Sequence, residues 1–460
     1  MPVSAGPIDL NDPREVIARS PMSTLQLLVI AITVALNALD GFDVASISFA
    51  SPGIAKEWGI DRGALGIVLS MEVIGMAIGS MFLGGVADKV GRRRTVLGCT
   101  TVMALGMFMV PTTRGLVELS IWRVVTGVGI GGMIATVNAV AAEFSNTKRR
   151  DLSVSLMSIG YPIGAVVGGL LAQRLLGIYD WRSVFYLGAV TTTLLIPVVF
   201  IFVPESVQWL AQTRPAGALD RVNKTLRRMG HGVVAGLPAL ASSARKLSIA
   251  DVFRPGLVHI TVLVTLSYFF HITTFYFIMK WVPKIVADFG FQASSAAGVL
   301  VWANVGGMIG GALLGVLTQK FAVRALTIGS MLIATVMVSL FGITPHDLAM
   351  LSAICAAAGF FVNGAIVGMY ALFAQAFPTH VRAFGTGCAV GLGRGGSFLA
   401  PIIAGYLFQA GYGLSTVAVI MGLGSTMAAI VLLLLKMGSE NLPQPAHQEQ
   451  APGSLKEARI

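Results

Sequence analysis

Apolar residues run along this chain in twelve stretches, each bounded by short polar turns. They cover roughly residues 25–50, 64–87, 95–112, 117–141, 152–176, 183–203, 257–279, 296–319, 325–343, 348–373, 384–408 and 414–435. A bilayer's hydrocarbon core is about 30 Å thick and takes about 20 helical residues to cross, so each stretch reads as a membrane-spanning helix or close to one. Six spans precede a polar segment, and six follow it. The pattern predicts an all-α membrane protein of twelve helices in two pseudo-symmetric six-helix bundles. The expected divisions are an N-terminal tail (1–23), a first bundle (24–203), a central loop (204–255), a second bundle (256–436) and a C-terminal tail (437–460). Both tails are polar and read as disordered.

The halves echo each other. Gly85-Val-Ala-Asp-Lys-Val-Gly-Arg-Arg-Arg94 follows the second span and Gly315-Val-Leu-Thr-Gln-Lys-Phe-Ala-Val-Arg324 follows the eighth. Each puts a glycine at a helix end and an arginine nine residues later. Glu143 to Arg150 after span four likewise parallels Gln375 to Arg382 after span ten. Parallel six-helix repeats of this kind are a recognised transporter plan.

Composition agrees with the pattern and narrows it. The chain is 55% hydrophobic and 12% charged, with mean hydropathy +0.80, against about 25% charged residues in a typical soluble domain. The net charge of +11 would suit nucleic acid, but its placement speaks for topology. With both termini assigned to the cytoplasm, 23 of the 32 lysines and arginines fall on that side, seven fall outside, and Arg123 and Arg394 fall within the membrane. That is the positive-inside pattern. The expected location is a bacterial-type inner (plasma) membrane. The start, Met1 to Ser23, is polar and contains proline, so no cleavable signal peptide is expected. Cys99, Cys355 and Cys388 all lie in apolar segments and read as packing residues. No cofactor, metal or nucleic acid is expected, and a monomer is.

The chemistry concentrates at polar residues inside the spans. Asp40-Gly41-Phe42-Asp43 puts two carboxylates in the first. Each charged group there costs about 2.5–3.5 kcal/mol on insertion scales, so acids of this kind face a protein interior or a water path and either carry protons or pair with buried cations. Arg123, in Trp122-Arg123-Val-Val-Thr126-Gly127, lies at a depth matching Asp43 by helical rise. A neighbouring carboxylate would offset its desolvation; snorkelling to the interface is the other reading. Arg394, in Gly391-Leu-Gly393-Arg394-Gly395-Gly396, sits near the midplane, where its planar fork suits a substrate carboxylate. Its alternative is a structural pair with Glu72. His271 in span seven can bind a polar substrate group or serve as a packing residue. Phe42, Tyr161, Trp302 and Tyr370 can stack on a ring or simply pack, Tyr161 having the better claim because Pro162 and its flanking glycines break the helix locally. At the end of span two, Asp88 with Arg92, Arg93 and Arg94 reads as a latch in which Asp88 caps a neighbouring helix and pairs with an arginine. Glu143, near Lys148-Arg149-Arg150, reads as part of a local ion-pair cluster or as a proton-release site. Gly127 to Gly132 and Gly391 to Gly396 match a dinucleotide fingerprint, but no strand precedes them, so close helix packing is expected instead.

With these residues in view, the chain resembles the major facilitator superfamily. The 6+6 plan carries the Gly84 to Arg94 loop between spans two and three, and the Trp122–Gly129 stretch is similar to the superfamily's span-four motif. Within it, Asp40-Gly41-Phe42-Asp43 looks like the signature of the aromatic acid:proton symporter family. The resemblance covers about residues 24 to 436. It implies import of a monocyclic aromatic carboxylate (benzoate-, hydroxybenzoate- or phenoxyacetate-like) with protons, Asp40, Asp43 and Arg123 serving proton coupling. The second loop copy departs from the motif at Thr318, Gln319, Phe321 and Ala322, so a weaker latch is expected in the second half. Two other readings stay open: a proton-coupled sugar, polyol or drug carrier of the same fold, possible in the efflux direction because Gly160 to Gly169 partly resembles an antiporter span, and a membrane receptor without transport. No enzyme constellation is present.

Overall fold

The computed structural model describes residues 12–238, 252–378 and 381–435; the expectations for residues 1–11 and 436–460 lie outside them. Among the described residues, twelve helices are long and apolar enough to cross a membrane. They are α1 (Thr24–Trp58), α2 (Arg62–Val90), α3 (Arg92–Thr112, its last turn 3-10), α4 (Leu116–Glu143), α5 (Arg150–Leu176), α6 (Arg182–Phe202), α7 (Val258–Asp288), α8 (Ala293–Leu317), α9 (Val323–Phe341), α10 (Leu348–Ala376), α11 (Phe384–Gln409) and α12 (Leu414–Leu434). Short helices Pro13–Arg19, Val207–Thr213 and Ala218–Arg228 lie outside the spans.

Local signals account for several ends. Ser23 and Gln26 form a capping box at the start of α1, which satisfies backbone donors on both sides of the cap. Gly59, in the left-handed region, ends that helix. Asp61 and Asp347 cap α2 and α10. Two helices outrun the expected spans by two turns or more. α1 continues to Trp58, and α7 continues beyond residue 279 through Lys280, Trp281 and Pro283 to Asp288.

The packing repeats between halves. In the first, α2 and α3 each pack on α4, α3 packs on α6, and α1 packs on α5 and α6; in the second, α8 and α9 pack on α10, α9 on α12, and α7 on α11 and α12. Glycines permit the close approaches. A Cβ on Gly41 or Gly164 would run into the carbonyl of Tyr161 or Ala38, between α1 and α5. Gly127 and Gly131 press on α2, and Gly306 and Gly310 on α10. In lipid, small residues bring backbones together where hydrophobic burial alone offers no preference for helix over lipid.

The bundles meet along α2–α11, α5–α8 and α1–α7. These seams lie toward the face of the α1–α2 turn, called here the far side; the opposite, tail side carries both ends of the described chain. On the far side Arg62 pairs with Asp288 at 3.0 Å, Gly63 abuts Gln409, and Gly298 abuts Gln173. α2 packs on the far-side part of α11, Gly395–Gln409, and has no comparable contact with Arg382–Gly393. The bundles are thus closed together on the far side and apart on the tail side.

Candidate functional site

α11 is interrupted at Arg394: its helical segments are Arg382–Gly393 and Gly395–Gln409. The break has a cause in the sequence. Four glycines surround the arginine, and Gly393 and Gly396 lie directly against Tyr268 and Phe269 of α7. Interrupted helices near mid-membrane are where transporters of this plan bind their cargo. Around Arg394 stand Tyr268, Tyr276 and Tyr370. The hydroxyls of Tyr268 and Tyr370 are 3.3 Å apart, and their rings sit 6.1 Å centre to centre. Among the described residues no acid forms an ion pair with Arg394. A guanidinium half-buried among phenols can take a carboxylate on its fork while the rings provide faces for an aromatic body.

Tyr276 also lines a narrow central cavity between the bundles. Gly41, Val44, Ala45, Tyr161 and Ala165 form its first-bundle wall, and Phe275, Met279, Lys280, Leu300 and Asn304 form the other. Tyr161 thus lines this cavity. It faces the same space as Tyr276, within electrostatic reach of Arg394.

Asp40 and Asp43 share one face of α1, turned away from that cavity into the first bundle. Both are fully buried, and neither carboxylate has a hydrogen-bond partner among the described residues. Arg123, also fully buried, approaches Asp43, but at the backbone: its Nη2 donates to the Asp43 carbonyl at 3.0 Å. Its acid partner is Glu72. The expected Arg123–Asp43 carboxylate pair is thus replaced by Arg123–Glu72, and the rival Arg394–Glu72 pair does not form either. The fifth charged member is Lys280, 3.5 Å from Glu72 and donating to the Val44 carbonyl at 2.6 Å. The expected seventh span ends at residue 279, which leaves Lys280 outside it. Its apolar continuation, Trp281, Val282, Ile285 and Val286, all buried, was the signal that the span goes on.

Three proposed ring-binding or polar contacts lie elsewhere. Phe42 is buried against Gly168 of α5 and Gly188 of α6, so it packs the first bundle. His271 is fully buried with both ring nitrogens engaged, Nδ1 with Ser425 Oγ and Nε2 with the Val362 carbonyl, each at 2.9 Å. It ties α7 to α12 and α10 and has no nitrogen free for a ligand. Trp302 is 54% exposed, in a lateral groove with Leu170, Gln173 and Ser352, outside the central cavity. Tyr370 stands beside Arg394.

On the tail side, Asp88 pairs with Arg92 at 2.6 Å, and Arg92 pairs with Glu143 of α4 at 3.2 Å. Glu143 thus joins Arg92 rather than the 148–150 cluster. Asp88 is exposed and caps no neighbouring helix. The backbone amide at the start of α3 is instead met by Glu205, which accepts from Arg93 N at 3.1 Å. Glu205 was not singled out in the sequence. It fits against Gly91, whose φ of 111° and lack of a Cβ admit the carboxylate. Arg93 stacks on Phe200 at 5.0 Å. In the second copy Arg324 has no such acid among the described residues and bonds the carbonyls of Leu432 and Leu433 at 3.0 and 2.7 Å.

A two-bundle, twelve-helix membrane protein with a broken helix at a central cavity defines the class: a transporter rather than an enzyme. The family model described as Major Facilitator Superfamily matches residues 33–312 and 264–459, and the chain belongs to that superfamily, in its branch of aromatic acid transporters. The chain is 30% identical to a gallate transporter of Pseudomonas putida, with 94% of this chain and 96% of the relative covered. It is 27% identical to the 4-hydroxybenzoate transporter PcaK of the same organism, covering 92% and 95%. Among solved structures, the inward open xylose transporter XylE from E. coli superposes with a TM-score of 0.69 at 17% identity, covering 92% of this chain and 98% of that one. That likeness is one of fold.

Proposed function

We propose that this protein imports a monocyclic aromatic carboxylate by proton symport across a bacterial inner membrane, as a monomer, with the tail side in the cytoplasm. The observation that carries the reading is Arg394. It is an arginine at a helix break, ringed by tyrosines and with no acid partner among the described residues, in a chain whose relatives are named for gallate and 4-hydroxybenzoate. Arg394 takes the carboxylate, and Tyr161, Tyr268, Tyr276 and Tyr370 supply ring faces and hydroxyls. On this orientation, closure of the far side makes the arrangement the cargo-releasing state.

Asp40 and Asp43 carry the protons. A bare carboxylate at this depth is expensive, and protonation removes the charge. An anion moved inward opposes an inside-negative potential by about 2.3 kcal/mol per charge per 100 mV. One accompanying proton makes the step electroneutral, and a second lets the potential drive it. Arg123 holds Glu72 and the α1 backbone at Asp43, so a shift at either acid is transmitted to α2 and α4. The Asp88–Arg92–Glu143 link on the tail side sets the ease of exchange between states.

The test is uptake into liposomes containing the purified protein. Labelled benzoate, 4-hydroxybenzoate and gallate are offered with an inward-directed proton gradient. At least one should accumulate, compete with the others, and cease to accumulate when a protonophore collapses the gradient. Xylose should not compete. Accumulation indifferent to the gradient would remove the symport reading, and failure of all three acids would remove the substrate class.

A further inference from the structure

Lys280 is absent from the transport scheme above, yet among the described residues it and Arg123 are the buried lysine and arginine side chains. It is 1% exposed and sits on α7 of the second bundle. Both of its polar contacts are to the first. The ammonium donates to the Val44 carbonyl of α1 at 2.6 Å and lies 3.5 Å from Glu72 of α2. Glu72 is shared: it also holds Arg123 of its own bundle. Lys280 lines the central cavity beside Tyr276 and Met279.

The arrangement has a mechanical consequence. α1–α7 and α2–α11 are seams closed on the far side. Any motion that opens the cavity there must draw α7 away from α1 and α2. Neither Lys280 contact survives that motion, because each spans the seam directly. The Glu72–Arg123 pair, inside one bundle, is untouched by it. A buried ammonium stripped of its partners is costly, so the far side resists opening until water or an anion reaches the lysine. Arg62–Asp288 crosses the same side, but it is exposed, and exposed pairs contribute little.

We infer that Lys280 is the inter-bundle lock of the far-side-closed state, a positioning residue that sets the balance between the two facing conformations through Glu72 and the Val44 carbonyl. Its role goes beyond cargo recognition and requires no particular substrate.

The test is a distance measurement between spin labels on the full-length protein in lipid nanodiscs, with no substrate present. Cys99, Cys355 and Cys388 are replaced by alanine. Labels are placed at Ile178→Cys in the α5–α6 turn and Ile343→Cys in the α9–α10 turn, both exposed far-side positions in opposite bundles. The parent should show one short distance population. Lys280→Gln should raise the ratio of long to short distances at least tenfold, and Lys280→Arg should restore the short population. Glu72→Asp provides a second perturbation with the Arg123 charge still balanced: shortening the acid by one methylene stretches the Lys280 pair beyond contact. It should shift the ratio in the same direction, by less. Parent-like distributions in both Lys280→Gln and Glu72→Asp, in protein that elutes as a single species, would overturn the assignment. Because the readout needs no cargo, failure of the aromatic-acid reading would leave this result standing, and the reverse holds too.

Discussion

Replacing Arg394 by alanine is the sharpest perturbation of the proposed site. The arginine stands at a helix break with tyrosine hydroxyls as neighbours and, among the described residues, no acid to satisfy. Removing it therefore strands no protein carboxylate, and the loss should fall on the ligand. Truncating one side of a desolvated charged pair costs about 2–5 kcal/mol. Arg394 is only partly buried, which favours the lower end, about 2 kcal/mol. At about 1.4 kcal/mol per decade, Kd should rise roughly thirtyfold. Arg394→Lys should recover part of this, since lysine carries the charge but cannot make two parallel bonds. The assay is isothermal titration of purified protein with benzoate, 4-hydroxybenzoate and gallate, alongside the corresponding carboxamides. The amides should bind wild type weakly and lose less than about threefold in Arg394→Ala, because the charge-assisted part of the interaction is already missing. Equal penalties for acid and amide would refute the reasoning and make Arg394 a structural element of the α7–α11 contact.

Further outcomes follow from the same geometry. Asp40→Asn and Asp43→Asn should each abolish gradient-driven accumulation while leaving the protein folded, and normal accumulation in both, measured in liposomes, would contradict proton carriage. Asp88→Asn removes an exposed partner of Arg92 far from the cavity; it should slow exchange of labelled substrate several-fold while changing Kd by less than about twofold, in line with the small worth of exposed pairs. Gly164→Val should lower thermal stability strongly, since even a Cβ there collides with the Ala38 carbonyl; overpacking a tight contact costs about 1–3 kcal/mol or more, and an unchanged melting temperature in detergent would refute the packing account.

Much of this protein was legible in one dimension. Lipid admits only helices whose backbone bonds are internal, so length and hydropathy alone yield twelve spans, and duplication yields two bundles. Asp40, Asp43, Arg123 and Arg394 stood out because a charge in an apolar span is costly wherever the helix lies. The glycine strings read correctly as packing surfaces for the same one-dimensional reason: no strand precedes them. What a charge pairs with is another matter, since ion pairs here join residues of different helices and the choice turns on angstroms. Depth matching brought Arg123 to the height of Asp43 but could not distinguish its backbone carbonyl from its carboxylate, nor foresee Glu72 arriving from α2. Lys280 was hidden by a span boundary drawn at residue 279, well short of the helix end at Asp288. Only helix packing shows that it crosses between bundles. Orientation about the helix axis was equally out of reach. Tyr161 and Tyr276 face the cavity, while Phe42 packs inside the first bundle, His271 is spent on Ser425 and Val362, and Trp302 looks sideways. In a membrane helix that is apolar all round, hydropathy carries almost no record of which face turns inward, so the tertiary contacts alone decide it.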